Sequence, residues 1–424
     1  MQMRFEFRLL VAGLALLGCE SVLGISEPQP RAEASGGLPN GGSSGRGSAG
    51  DGDDGGQSGE AGSATSEQAG SAGAAGAALI GPAGGQGGAG GEAIGGSGGA
   101  PLCNEDEKYC DGNTPVTCVD GAWESGTLCQ AFCSGGECRN PPSCDGSPTC
   151  GSSVSCCRAH EVPGGTFRRD FDNVDFTDAN YEASVSTFLL DAFEVTVSRF
   201  RKFVDVYPNV GIEPGDGKAP HIAEDEGWQE SFPLPSTVEE LKANLACDGA
   251  TWTDVAGEGV PDHPINCVDF YVAYAFCIWD GGRLPTEAEW NYAAAGGDEQ
   301  RVYPWSSPAG DTSIDATRAY YEQLEGPPAP VGSKPMGNGL WGHADLAGNV
   351  YEWNLDAYLD PYPSTDCDDC LQATDTGSRS VRGGSFNSYD FDLMVAMRMN
   401  IPQELLLDYT GFRCARDVQV IAEE

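Results

Sequence analysis

Apolar and polar positions divide the chain into three stretches of different pattern. The first is a continuous apolar run, Leu9-Leu10-Val11-Ala12-Gly13-Leu14-Ala15-Leu16-Leu17, behind Arg4 and Arg8. It is too short for an ordinary membrane span and has the charged-then-apolar layout of a secretory signal. The second, residues 26 to 100, is almost entirely Gly, Ala and Ser with a few acids. It cannot bury enough apolar surface to offset the entropy of ordering, so a disordered tether is expected. A collagen-like helix is excluded because no strict Gly-X-Y period is kept. The third stretch, from about 160 to 417, carries the patterning of one globular domain.

Within that domain, Val162-Pro163-Gly164-Gly165-Thr166-Phe167 reads as a turn feeding a strand, and Phe193-Glu194-Val195 as a short strand. Thr196 can cap a helix carrying Phe200, Phe203 and Val204 on one face. Asp269 can cap a second, with Val272, Ala275, Phe276 and Trp279 as its inward stripe and Gly281-Gly282 as its end. Thr286-Glu287-Ala288-Glu289 has capping-box spacing, so a third helix should run to Gly296 with Trp290 facing inward. Beyond 300 the segments are short, aromatic and broken by Gly and Pro, which favours irregular loops and brief strands.

Composition bounds location and partners. Leu16-Leu17-Gly18-Cys19 resembles the bacterial lipobox, which would make Cys19 the acylated first residue of an exported, membrane-anchored lipoprotein. An ordinary cleaved signal is the alternative. Each acyl methylene adds roughly 0.8 kcal/mol, so several chains hold stably to a bilayer, and a Gly-rich coil of about 75 residues has an rms span of about 50 Å. A formal net charge of -41, with Lys+Arg 23 against Asp+Glu 64, excludes nucleic acid as a partner. The 17 cysteines fit an oxidising compartment, and setting Cys19 aside leaves an even number. Six of them, Cys103, Cys110, Cys118, Cys129, Cys133 and Cys138, occupy too little chain for a core without staples, so a small disulfide module is expected, its pairing open. A zinc site is disfavoured by uneven spacing and the lack of His. Cys144, Cys150, Cys156 and Cys157 follow in a connector at the edge of the next domain.

The domain closely resembles the formylglycine-generating enzyme or sulfatase-modifying-factor family. The matching pieces, in family order, are the 162–167 turn, Phe193-Glu194-Val195-Thr196, His263-Pro264-Ile265-Asn266, Gly282-Arg283-Leu284-Pro285-Thr286-Glu287-Ala288-Glu289-Trp290, Tyr303-Pro304-Trp305, Gly348-Asn349-Val350-Tyr351-Glu352-Trp353, Arg382-Gly383-Gly384-Ser385-Phe386 and Gly411-Phe412-Arg413-Cys414. The resemblance implies an α+β fold of the complex C-type-lectin-like kind, with little regular secondary structure. The expected organisation is a lipoprotein signal peptide at 1–18, a lipid-anchored linker at 19–100, a cysteine-rich module and connector at 101–158, and the family domain at 159–418.

Enzymes of this family oxidise a cysteine of a client sulfatase to formylglycine with O2 and a Cu(I) held by two cysteines. Soft Cu(I) selects thiolates. Here the two positions hold Ser388 and Leu393, so copper is not expected. The resemblance assigns Cys414 to a disulfide with Cys277. It also implies a calcium loop, in which Asp345 (where the family usually has Asn), the carbonyls of Leu346, Gly348 and Val350, and the Glu352 carboxylate surround a structural ion. Cys247 and Cys267 are the remaining pair of the domain, closing the loop with Trp252, and Cys367-Asp368-Asp369-Cys370 reads as a structural disulfide because flanking carboxylates suppress a reactive thiolate. The four His lack the His-X3-His-X-Glu spacing of related iron-dependent sulfoxide synthases, and neither a metalloprotease helix nor a nucleophile elbow, Walker loop or dinucleotide fingerprint occurs. Two classes remain: a binding module for a peptide, glycan or protein ligand, or an oxidase with an unrecognised metal site.

Overall fold

The computed structural model describes residues 103 to 418, apart from 105, 112, 147, 151–153, 256–258, 325 and 363–365. The signal-like run, Cys19 and the Gly-rich stretch to residue 100 lie outside the described residues. No helix among those described is long and apolar enough to cross a membrane.

Three helices start where their caps place them. The Thr196 hydroxyl accepts from Arg199 N at 3.3 Å and opens Val197–Val206. Asp269 accepts from Val272 N at 2.8 Å and opens Phe270–Trp279. Thr286 and Glu289 form a reciprocal capping box at the head of Glu287–Ala295, which Gly296 ends at φ 67°. Each such cap stabilises its helix by about 1 kcal/mol. The second helix departs from the expected one-sided stripe: Phe270 through Cys277 are all buried, while Trp279 is only half-buried. It lies inside the largest core cluster, where Phe276 stacks on Phe200 at 5.4 Å and meets Phe412 edge-on at 5.5 Å. A fourth helix, Val238–Asn244, has Thr237 as its cap.

The strands are short. One antiparallel sheet orders 415–417, 188–191 and 159–162; a mixed sheet places 182–185 between 165–168, antiparallel, and 366–368, parallel. A four-stranded sheet orders 398–402, 378–382, 351–357 and 410–411, and it carries the loops treated below. The Phe193–Val195 segment corrects the sequence reading, because the strand there is Phe188–Asp191. Val195 is held instead by single bonds to Phe412 O and from Ile265 N, each 2.8 Å, while Glu194 turns fully inward.

Eight disulfides use sixteen cysteines: 103–118, 110–133, 129–138, 144–157, 150–156, 247–267, 277–414 and 367–370. The Cys277–Cys414 bond spans 137 residues and constrains the unfolded chain by about 4–5 kcal/mol. The first five lie within 103–157, whose buried contact with the larger domain is both apolar, with Phe132 and Cys157 against Ala159 and Leu189, and polar. Asn113 donates to Ala159 O at 2.7 Å, and Ser143 N to Asp280 at 2.9 Å. Behind Ser143, Arg199 and Arg416 both bind Asp191 and Asp280, a quartet almost wholly withdrawn from solvent.

Candidate functional site

The loop from Asp345 to Glu352 is built on left-handed backbone at Asp345, Gly348 and Asn349, with φ of 56°, 89° and 65°. Gly348 cannot be replaced cheaply: a Cβ there would stand 2.6 Å from Tyr320 O. Gly348 N donates to Gly383 O at 2.8 Å and Phe386 N to Asn349 O at 2.7 Å, which ties the loop to the Arg382–Ser388 segment.

Three carboxylates gather behind this loop. Glu352 accepts from Trp290 Nε1 at 2.8 Å and from Arg413 Nε and Nη2 at 2.6 and 2.7 Å. Glu194 accepts from Asn349 Nδ2 at 2.8 Å and Val350 N at 3.3 Å, and Asp345 from Gly332 N at 2.5 Å. Burial, then the charges of Asp345 and Glu352, push Glu194 well above the carboxylate range. Burial chiefly, with Glu352 adding, pushes Asp345 up to about 6. Arg413 is the one guanidinium bonded within this set; with Glu194 held protonated by its surroundings, Asp345 and Glu352 leave a net excess of one negative charge near neutral pH. The carbonyls of Leu346 and Gly348, both in buried residues, accept no hydrogen bond among the described residues. Unpaired buried carbonyls are uncommon. Hard oxygens with a negative excess suit a divalent ion such as calcium, with Asp345 Oδ1 and the second lone pair of Glu352 Oε1 still free. Val350 lies in the same loop, its N–H spent on Glu194. Among the described residues no three His, Cys, Asp or Glu side chains form a metal-holding group, so any ion here leans on backbone carbonyls. Glu194, Trp290 and Arg413 are the members sequence reasoning did not assign to the loop, although all three stand in the family-like motifs quoted above.

The Ser388 hydroxyl lies in a hydrogen-bonded knot. It accepts from Ser385 N at 3.1 Å, meets Ser385 Oγ at 3.1 Å and donates weakly to Tyr351 Oη at 3.4 Å. Burial, foremost, pushes the Tyr351 phenol up to about 12, so it stays protonated. Leu393 is fully buried against Val302, Tyr303, Ala347 and Met394, filling space left by Gly348 and Gly384. A Cβ on Gly384 would meet Leu393 Cδ1 at 2.6 Å. With every cysteine from 103 to 414 in a disulfide, no free thiol faces this pocket.

The Cys367–Cys370 bond sits in a loop whose acids are used structurally: Asp368 accepts from Ser184 Oγ, and Asp369 from Ser186 N and Oγ. His160 and His343 meet edge-on at 5.4 Å. Burial, aided by Arg158, pulls His160 down to about 4, and burial holds His343 well below its ordinary value. Both rings are therefore neutral at physiological pH. Past Leu393 the chain reaches Met397 and Arg398, which line an open cleft of about 500 Å³. Tyr181, Tyr358 and Tyr362 wall it, and exposed Asp175, Asp178 and Asp360 rim it.

Residues 153–418 match the family model described as a sulfatase-modifying factor enzyme 1-like domain. A formylglycine-generating enzyme from Thermomonospora curvata is 32% identical over 301 residues, covering 60% of this chain and 92% of the relative. An inactive C-alpha-formylglycine-generating enzyme 2 from Bos taurus is 30% identical over 294 residues, covering 60% and 86%. Among solved structures, PvdO from Pseudomonas aeruginosa matches with 20% identity and a TM-score of 0.45, covering 66% of this chain and 100% of that one.

Proposed function

Because the chain belongs to the sulfatase-modifying factor enzyme 1-like domain family, we propose that it is a member that binds a ligand rather than oxidising one. The observation that carries this reading is the pair Ser388 and Leu393, a knotted hydroxyl and a core side chain where the family's copper thiolates stand. A serine hydroxyl is hard and weakly acidic, and leucine ligates nothing, so a cuprous ion finds no soft donor. That family members occur under an inactive name supports the separation of this fold from the oxidation.

On this reading the domain is a C-type-lectin-like scaffold steadied by calcium at Asp345, Leu346, Gly348, Val350 and Glu352. The ion would neutralise the carboxylate excess and fix the loop that meets Ser388. The ligand is a peptide in the aromatic cleft, whose rim of Asp175, Asp178 and Asp360 favours cationic side chains, while the tyrosine rings are engaged by the protein's own Arg169 and Arg398. Its place is the cell envelope, on a lipid-anchored Cys19 followed by the Gly-rich stretch.

The test is to incubate the full mature protein with copper and a Cys-X-Pro-X-Arg peptide under air while titrating the same peptide for binding. Saturable binding without aldehyde is expected. Aldehyde formation with stoichiometric copper would establish the oxidase alternative instead.

A further inference from the structure

Buried arginines in this fold are almost all neutralised. Arg199, Arg283, Arg382, Arg398, Arg413 and Arg416 each stand within 2.9 Å of a carboxylate oxygen. Arg379 is different. It is 5% exposed, on the 378–382 strand, and makes no ion pair among the described residues. Its Nε donates to Gln403 Oε1 at 3.1 Å and its Nη1 to Leu355 O at 2.8 Å, while the guanidinium lies 4.1 Å from the Phe270 ring centre. Nη2 has no partner among the described residues. Burial lowers the Arg379 pKa, so holding this charge without a carboxylate costs free energy that the fold tolerates.

Arg379 lines a cleft of about 270 Å³, below the size range of drug-sized ligands and suited to one small molecule. Phe232, Phe270, Tyr274 and Leu371 supply apolar walls. Exposed Glu224, Glu226 and Asp375 stand at the rim. Asp375 is held below the usual carboxylate range by the Gly377 N–H, so it stays anionic. A simple anion would meet these acids, and a simple cation would meet Arg379. A molecule with a carboxylate beside an ammonium satisfies both.

We propose that this cleft binds a free α-amino acid with an apolar side chain, its carboxylate on Arg379, its ammonium on the acidic rim and its side chain on the aromatic walls. A charge-assisted carboxylate contact of this kind is strong because the guanidinium is already desolvated and oriented.

The test uses the full mature protein and calorimetric titration with L-leucine and L-phenylalanine, beside 3-phenylpropionate and phenethylamine as single-charge controls. Saturable binding of an amino acid, at least tenfold tighter than either control, is expected, with a loss of tenfold or more in Arg379→Gln. Ser231→Trp, on the exposed rim, should block binding equally while leaving the unfolding temperature unchanged, which separates occlusion from misfolding. The proposal is overturned if neither amino acid binds at millimolar concentration, if one control binds as tightly, or if both variants bind like the parent.

Discussion

Arg413 and Glu352 form a bidentate ion pair from which solvent is wholly excluded, with contacts of 2.6 and 2.7 Å. The pair joins the 351–357 strand to the segment after 410–411, and Arg413 also donates to the carbonyls of Asp191 and Ala344. Removing one partner leaves the other charged and buried. Arg413→Met should therefore cost about 3–5 kcal/mol in chemical denaturation, and Glu352→Leu a similar amount. The double variant should lose distinctly less than the sum, a coupling a double-mutant cycle measures directly.

Calcium should stabilise the protein. A concentration 100 times the dissociation constant adds about 2.7 kcal/mol, read as a rise in unfolding temperature. Because Asp345 titrates near 6, its protonation competes with the ion, and the gain should shrink as pH is lowered through 6. A flat titration at pH 7.5 removes the ion from the loop.

Thiol chemistry gives a third check. Denatured, unreduced protein should show no reactive thiol between Cys103 and Cys414, since every cysteine in that range is paired. Ser388→Cys with Leu393→Cys should add two thiols and bring cuprous-ion binding that the parent lacks. Leu393→Cys alone should cost about 1–3 kcal/mol, because it opens a cavity beside Gly384.

Acid should weaken the fold through His160. Its folded pKa of about 4 lies below the unfolded value near 6.5, so between these limits the unfolded chain binds more protons. Stability from this group is complete above pH 6.5 and lost as pH falls toward 4, amounting to about 2 kcal/mol at pH 5. His160→Gln should flatten the acid limb of a denaturation series between pH 7 and 5 relative to the parent.

The helices opened by Thr196, Asp269 and Thr286 were legible because each cap is a local signal, complete within four residues. Val238–Asn244 was not, although Thr237 and Glu240 have the same spacing, because only Leu241 is buried behind them. Phe193–Val195 misled for the opposite reason: its apolar alternation reflects Glu194 pointing inward to Asn349, a contact across 155 residues. The loop at 345–352 could be read as a unit from its motif. Its electrostatics could not, since Glu194, Trp290 and Arg413 reach it from three other segments. Arg379 carried no local sign at all; its unpaired state exists only once Gln403, Leu355 and Phe270 surround it.

Every disulfide of residues 103–157 closes on a partner inside that stretch, so no covalent bridge crosses from it to the rest of the molecule. A single backbone cut near residue 158 would consequently yield two fragments that stay together through Ser143, which bonds to Arg199 and Asp280, through Asn113 on Ala159, and through the apolar packing of Phe132 and Cys157 on Ala159 and Leu189. Such a nicked protein would migrate whole on a sizing column at neutral pH and come apart in denaturant without any reductant.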